Sequence, residues 1–175
     1  MRTIHAGPLP DEALTHRYRE AGACADCYCT EVDRLVTHAE FVEAFYTTAL
    51  FKLERWILRC AAALLSTDDE ARALARGERE PFAAWTVEAR ASNQLLLRDV
   101  TGRTRSWLMV TKAGQPSGTR LYFGSVVVPV RDPKTGRESL GPMHGGLLGF
   151  HKLYSRVLLR AAVRKLRTAT LRMPA

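Results

Sequence analysis

The segment from Gly145 to Arg167 constrains the fold more than any other part of this sequence. It reads GGLLGFHKLYSRVLLRAAVRKLR, and its apolar residues recur at the three- and four-residue spacing of one helix face. Those positions are Phe150, Leu153, Tyr154, Val157, Leu158 and Ala161. Two glycines precede the pattern and Met173-Pro174 follows it, which predicts a helix of about 18 residues. A helix of this kind must bury its apolar face, so we expect the rest of the chain to wrap around it.

The composition is that of one globular domain, because 175 residues with 46% apolar and 25% charged residues can build a core. We expect residues 1–22 to form an N-terminal arm, residues 23–167 the folded core and residues 168–175 a tail. The sequence has no apolar run long enough to cross a bilayer, and its first residues lack the apolar region of a secretory signal. These features predict a cytoplasmic protein without a transmembrane segment, with reduced cysteines.

The net charge of +8 is concentrated near the C-terminus. No acidic residue follows Glu138, whereas basic residues occur at Lys152, Arg156, Arg160, Arg164, Lys165, Arg167 and Arg172. A basic amphipathic helix can dock on anionic lipid or on a protein partner, or its basic side chains can simply form the solvated face opposite the buried one. We favour the solvated face. Basic charge without interleaved exposed aromatic residues gives little support to nucleic-acid binding, and we expect none.

Ahead of the last helix, the first predicted strand is Ala23–Val32, with Cys27 and Cys29 on one face and Tyr28 on the other. Thr37-His38-Ala39-Glu40 is a capping box that opens a helical region. The β-branched pair Thr47-Thr48 divides that region into two angled helices, at about residues 38–46 and 50–65. A second capping box at Thr67 opens a short helix.

Four strands separated by short turns follow. They are Phe82–Ala91, Gln94–Val100, Arg103–Lys112 and Thr119–Val130. The order of strands and helices predicts an α+β fold, with an antiparallel sheet covered by helices on one side.

The turns Ser92-Asn93 and Thr101-Gly102 predict a register. If both are two-residue hairpins, Glu88 lies opposite Leu97, and Leu97 lies opposite Ser106. One face then carries Ala84, Thr86, Glu88, Leu95, Leu97, Ser106, Leu108 and Val110, and the other carries Trp85, Val87, Ala89, Leu96, Arg98, Arg105, Trp107 and Met109. We expect the first, mostly aliphatic face to meet the last helix. A slip of one residue would exchange the two faces.

Three stretches carry a resemblance to a known group of proteins. They are FVEAFYTTALFKLER, FAAWTVEAR with RTRSWLMV, and LYFGSVVV through GFHKLYSRVLL. With them the chain resembles a bacterial family of unknown function in the START-like (SRPBCC) helix-grip superfamily, which includes polyketide cyclases and pollen allergens. That family also occurs fused to NmrA-like reductases, although no G-x-G-x-x-G motif is present here.

The resemblance implies a curved antiparallel sheet wrapped around a long C-terminal helix, with two shorter helices after the first strand. It also implies a cavity between sheet and helix, and it brings no catalytic residues. The residues expected to line that cavity are Tyr46, Glu88, Ser106, Leu108, His151 and Tyr154. In the flipped register they are joined by Trp85, Arg105, Trp107 and Tyr122. The last three could form a stacking or cation–π platform, although such rows on a sheet are commonly cross-strand packing instead.

Glu88 and the start of the last helix are the candidates for chemistry. A mid-strand carboxylate buried in a cavity has a raised pKa and can act as a general acid or base. The alternative for Glu88, which we favour, is an exposed strand glutamate or an ion pair with Arg90, Arg103 or Arg105. His151 and Tyr154 share one side of the helix and are the potential partners, although a lone histidine there is more often structural.

The cysteine cluster Cys24-x-x-Cys27-x-Cys29 is a weak metal candidate. A structural metal site needs four converging ligands, and a second paired C-x-x-C motif is missing. Cysteine is also a small residue that is often buried. We therefore interpret the cluster as packing and expect no metal and no cofactor.

Three functions follow from these patterns. The favoured one is a non-catalytic binder of a small hydrophobic or amphipathic molecule in the cavity. The alternatives are a cyclase, dehydratase or hydrolase that uses Glu88 with His151 or Tyr154, and docking of the basic helix on anionic lipid or a protein. Self-association into a homodimer stays open.

Overall fold

The computed structural model describes residues 3–53, 66–114, 117–131, 138–139 and 146–170. For residues 130–131, 138–139, 146–152 and 170, it describes the backbone alone. His151 therefore has a place in the last helix, while the direction of its side chain lies outside the described part.

An antiparallel, curved sheet dominates the structure, as predicted. Its strands are β1 (His5–Ala6), β2 (Cys24–Val32), β3 (Pro81–Phe82), β4 (Trp85–Ala91), β5 (Gln94–Asp99), β6 (Thr104–Lys112) and β7 (Thr119–Val127). They lie in the order β1-β2-β7-β6-β5-β4-β3. A separate two-stranded sheet consists of β8 (Val130–Arg131) and β9 (Glu138–Ser139). This α+β architecture agrees with a helix-grip fold.

The helices are α1 (His16–Glu20), α2 (His38–Tyr46), α3 (Asp68–Arg76) and α4 (Gly146–Thr170). Both predicted capping boxes are formed, with Thr37 and Glu40 at the start of α2 and Thr67 and Glu70 at the start of α3. Helix α2 ends at Tyr46 with Thr47 as its C-cap, and residues 49–53 are helical again, which confirms the predicted break. Most of the second predicted helix, residues 54–65, falls outside the described residues.

The main core lies on the concave face of the sheet, beneath α2 and α4. Aromatic side chains from the break region meet the sheet there, with the rings of Phe45 and Phe123 at 4.7 Å and those of Tyr46 and Phe82 at 5.5 Å between centroids. Leu97 and Leu108, which the predicted register placed towards the last helix, belong to this core.

Helix α4 is rotated relative to the prediction. Among its described side chains, the buried ones are Ser155, Leu158, Leu159, Ala162, Val163 and Leu166. Leu153 and Val157, expected on the buried face, are 62% and 42% exposed. Apolar residues occur around most of this helix, so the three-and-four spacing fits two overlapping stripes. The stripe that packs contains small residues at Ser155 and Ala162, which let a helix approach its neighbours closely.

The outer face of the sheet is buried as well. The N-terminal arm crosses it, and Leu9, Ala13, Leu14 and Tyr18 pack against a second core. The sheet contributes Cys27, Cys29, Leu96, Trp107, Met109 and Tyr122 to that core.

Gln94 forms three hydrogen bonds, two with the arm and one with Trp107 of the sheet. Its side-chain oxygen accepts from the backbone N–H of Leu14 at 3.0 Å and from Nε1 of Trp107 at 2.9 Å. Its amide nitrogen donates to the carbonyl of Glu12 at 2.8 Å. Because a buried amide is stable only when its polar atoms are paired, Gln94 ties the position of the arm to the sheet.

A β-bulge corrects the predicted register. Ala91 lies opposite Gln94 and Leu97 lies opposite Ser106, as expected, but Val87 rather than Glu88 lies opposite Leu97. The register shifts between Val87 and Ala89, so Glu88 is the extra residue of the bulge. The bulge reverses the alternation beyond it, and Trp85 and Val87 pack against the concave core.

Within the described ranges, none of the helices combines the length and the apolar content that crossing a membrane requires.

Gly124 generates a prediction about stability. A Cβ atom at this position would lie 2.6 Å from the carbonyl oxygen of Asp26 and 2.9 Å from Cε3 of Trp107. We expect Gly124→Ala to lower the free energy of unfolding by about 2 kcal/mol in urea denaturation, because backbone and indole cannot both move away. Gly114→Ala is the matched control, since its Cβ would meet no atom within 4 Å. Equal stability of the two variants would contradict this packing.

Candidate functional site

Polar side chains form a row across the concave face of the sheet. Asp26 of β2 lies opposite Ser125 of β7, and Ser125 lies opposite Ser106 of β6. By strand alternation these residues share a face with Tyr28, Phe123 and Leu108 of the concave core. Tyr46 of α2 completes the arrangement above the sheet. We call Asp26, Ser125, Ser106 and Tyr46 the polar row.

Hydrogen bonds join the polar row in two pairs. The backbone N–H and the hydroxyl of Ser125 each donate to Oδ1 of Asp26 at 2.8 Å. The hydroxyls of Tyr46 and Ser106 are hydrogen-bonded at 3.0 Å, in surroundings that are otherwise apolar. The row therefore offers carboxylate and hydroxyl oxygens at one level of a hydrophobic interior.

Two further polar atoms in this region are buried without a partner. Oγ of Ser155 and Nε1 of Trp85 form no hydrogen bond within the described part of the chain. Ser155 is 0% exposed on the buried side of α4, and Trp85 packs on the concave core. Leaving a buried donor or acceptor unpaired costs about 1–3 kcal/mol, and in native proteins a ligand or an ordered water usually supplies the missing partner.

The structure brings together several residues that the sequence placed in a cavity. Tyr46, Ser106 and Leu108 are buried on the concave side, and Tyr154 packs against the same core. Their contact with a ligand stays a prediction. Trp85 joins them because of the bulge, although it had been expected there only with a flipped register.

The other residues of the flipped register lie on the outer face. Trp107 and Tyr122 pack there at 6.2 Å between ring centroids, as part of the core under the arm. The guanidinium of Arg105 lies 4.8 Å from the ring centroid of Tyr18. These side chains hold the arm and do not face α4.

Glu88 also lies on the outer face, which corrects its expected place in the cavity. Oε2 accepts from Nε of Arg105 at 2.9 Å, while Oε1 accepts from Arg17 and from the hydroxyl of Tyr18. Glu88 therefore has the ion pair that was the alternative interpretation. Because Tyr154 is on the opposite side of the sheet, the predicted pairing of Glu88 with Tyr154 in one active site is wrong.

The pKa of Glu88 is lowered by its partners. Burial of the carboxyl raises the pKa, but the hydrogen bond from Tyr18 and the charges of Arg105 and Arg17 together outweigh burial. The side chain is thus a stable anion, suited to holding the arm rather than to exchanging protons near neutral pH.

The three clustered cysteines do not converge on one point. Cys27 and Cys29 are buried in the outer core. Cys24 is exposed, and strand alternation places it on the concave face instead. Burial, with smaller contributions from Cys29 and Asp26, raises the pKa of Cys27 to about 12, which disfavours the thiolate that metals bind. Among the described residues, no group of three or more His, Cys, Asp or Glu side chains is arranged to hold a metal ion.

His38, at the start of α2, is a buried imidazole. Burial, with a small contribution from Arg90, lowers its pKa to about 4, although a backbone hydrogen bond with Leu108 acts to raise the pKa. His38 is therefore neutral at physiological pH. Its Nε2 has no partner among the described residues.

Two clefts lie away from the polar row. An open cleft of about 400 Å³ is lined by Leu35, Val36, Asn93, Val110, Thr111, Lys112, Gly118 and Thr119. A smaller groove of about 130 Å³ runs between α2 and α4. Neither has a lining residue from the polar row.

Sequence reasoning missed Asp26 and Ser125. A signal was present for both, because Asp26 shares the parity of Tyr28 in a strand that was predicted correctly. Ser125 likewise interrupts the apolar run Leu121–Val127 at an inward position. The favoured register placed Trp85 on the outer face, because an alternating sequence pattern does not reveal where a strand contains a bulge.

Comparisons with known proteins add little. No protein-family model matches the chain, and no curated protein matches it. Among solved structures, CalU16 from Micromonospora echinospora is similar over 96% of this chain and 94% of its own, with 12% sequence identity and a TM-score of 0.34. A likeness this low carries no argument about function.

The cluster around Glu88 generates a pH-dependent prediction. A carboxylate with a lowered pKa stabilises the folded state above its unfolded pKa, about 4.3, and this contribution is lost as the pH falls further. We expect Glu88→Gln to be less stable than the wild type by about 2 kcal/mol at neutral pH, because Arg105 loses its buried partner. Urea denaturation should show that this difference shrinks in acid.

Glu78→Gln is the matched control, since Glu78 pairs with Arg76 at an exposed position. It should change stability much less. A Glu88→Gln difference that persists unchanged in acid would contradict the role of the ion pair.

Proposed function

We propose that this protein binds one small, mostly apolar molecule with a polar group, between the concave face of the sheet and α4. The observation that carries the proposal is that two polar atoms near this face, Oγ of Ser155 and Nε1 of Trp85, are buried and have no hydrogen-bond partner among the described residues. A bound molecule can complete hydrogen bonds at such atoms. The polar row provides further groups at the same face of the sheet.

The chemistry of these atoms describes the ligand. The indole N–H of Trp85 can only donate, so the ligand needs an oxygen or nitrogen acceptor. The hydroxyl of Ser155 both donates and accepts. No basic side chain belongs to the polar row, which favours an uncharged carbonyl or hydroxyl compound over an anion. Leu97, Leu108 and Phe123 give the remaining wall an apolar character that suits a hydrocarbon skeleton.

An enzymatic role through Glu88 is not proposed, because that carboxylate is committed to Arg17, Tyr18 and Arg105 on the other face. Binding without catalysis requires only the polar atoms and apolar walls described above. Ligand binding would also explain why an otherwise hydrophobic interior keeps a serine at position 155 of a packed helix.

Native mass spectrometry of freshly purified protein tests the proposal. We expect a co-purifying small molecule whose occupancy falls about tenfold in Ser155→Ala, as for loss of one buried hydrogen bond. Trp85→Phe should act in the same direction, because it removes the donor and keeps an aromatic ring. The unliganded Ser155→Ala protein should be as stable as the wild type or more stable by about 1 kcal/mol, since it no longer buries an unpaired hydroxyl.

Ser92→Ala is the matched control, because it removes an exposed serine hydroxyl in the turn between β4 and β5. It should leave both occupancy and stability unchanged. A wild-type protein that retains no small molecule, or an occupancy that ignores Ser155, would contradict the proposed site.

A further inference from the structure

The outward face of α4 carries an exposed stripe of two apolar and three basic residues. Leu153, Val157, Arg160, Arg164 and Arg167 are spaced at i, i+4, i+7, i+11 and i+14, which aligns them along one side of a helix. All five are exposed, and they extend over about 21 Å of helix length. We call these residues the outward stripe.

The arginines of the outward stripe form no ion pair with the described residues. Within the described part of the chain, none of the three has a carboxylate at ion-pair distance. Since no acidic residue follows Glu138 in the sequence, the helix itself cannot neutralise them. By contrast, Lys165 on the same helix donates to the carbonyl of Thr47 at 2.8 Å.

Helix α3 shows the opposite arrangement. Arg72 pairs with Glu43 and Asp69, and Arg76 pairs with Glu78. Arg79, just beyond the helix, pairs with Glu70. The exposed arginines of α3 and of the residues just beyond it are thus matched by carboxylates, whereas the three arginines of the outward stripe have none among the described residues.

We propose that the outward stripe docks on the surface of a membrane that contains anionic phospholipids. Leu153 and Val157 would enter the boundary between headgroups and acyl chains, as the apolar residues of interfacial helices do. The three arginines would bind lipid phosphates, with which a guanidinium forms paired hydrogen bonds. This inference does not rest on the ligand-binding proposal, because it uses the opposite side of the helix.

The exposed side chains favour lipid over nucleic acid. The large hydrophobic residues exposed in the described ranges are Leu35, Leu53, Val100, Leu153 and Val157, and none of them is aromatic. Nucleic-acid surfaces combine basic charge with aromatic rings that stack on bases. Aliphatic residues next to arginines fit a lipid interface instead.

Co-sedimentation with vesicles tests the docking. We expect the protein to bind vesicles of phosphatidylcholine mixed with phosphatidylserine, not vesicles of phosphatidylcholine alone, and to dissociate as salt is raised. Replacing the three arginines together (R160Q/R164Q/R167Q) should weaken binding about a hundredfold, which is about fivefold for each charge. Leu153→Ser with Val157→Ser should weaken it about tenfold and leave the salt dependence unchanged.

The matched control is R72Q/R76Q/R79Q, which removes the same number of charges from ion-paired positions and should bind as the wild type does. Circular dichroism should show the same melting for every variant, since the substituted side chains are exposed. Equal losses in both triple variants would overturn the proposal, because net charge alone would then explain binding. Absence of binding to anionic vesicles, or arginine-dependent binding to duplex DNA without vesicle binding, would also overturn it.

Discussion

A single extra residue in β4 determines what each face of the sheet does. With Glu88 in a bulge, Trp85 and Val87 pack against the concave core while Glu88 and Ala89 stay on the outer side. An unbroken strand would have placed the carboxylate under α4 and the indole under the arm. The same bulge therefore puts an N–H donor inside the molecule and an anion where the arm needs one. Both the candidate site and the attachment of residues 9–18 depend on it.

Much of the framework could be predicted because local rules act alone there. The capping boxes at Thr37 and Thr67 need only a hydroxyl and a carboxyl three residues apart, and both formed as expected. The pairing of Leu97 with Ser106 followed from turn length. The rotation of α4 did not follow from its sequence, because Leu153 and Val157 fit the apolar spacing as well as Leu158 and Leu159 do. Contacts with α2 and the sheet, which are long-range, decided between the two stripes.

The candidate site could be predicted only in part for the same reason. Tyr46 and Ser106 were identified because a polar group at an inward position stands out once the register is known. The predicted position of Glu88 in the cavity was wrong because one bulge changes which face of the sheet each residue beyond it occupies. Asp26 was not predicted, although it lies in the same strand as the three clustered cysteines. Polar atoms without a partner among the described residues, such as those of Ser155 and Trp85, are recognisable only from the three-dimensional arrangement of their neighbours.

The two covers of the sheet come from opposite ends of the chain. Residues 9–18 pack on the outer face and α4 packs on the concave face, with all the long strands between them in sequence. During synthesis, the arm is available as soon as β5 and β6 pair, whereas the concave side waits for the last helix to leave the ribosome. Until then α2 covers the concave core without α4. A half-built sheet with exposed apolar residues is the kind of intermediate that attracts chaperones and aggregates. The order of the elements thus makes the packing of α4 the step that closes the interior.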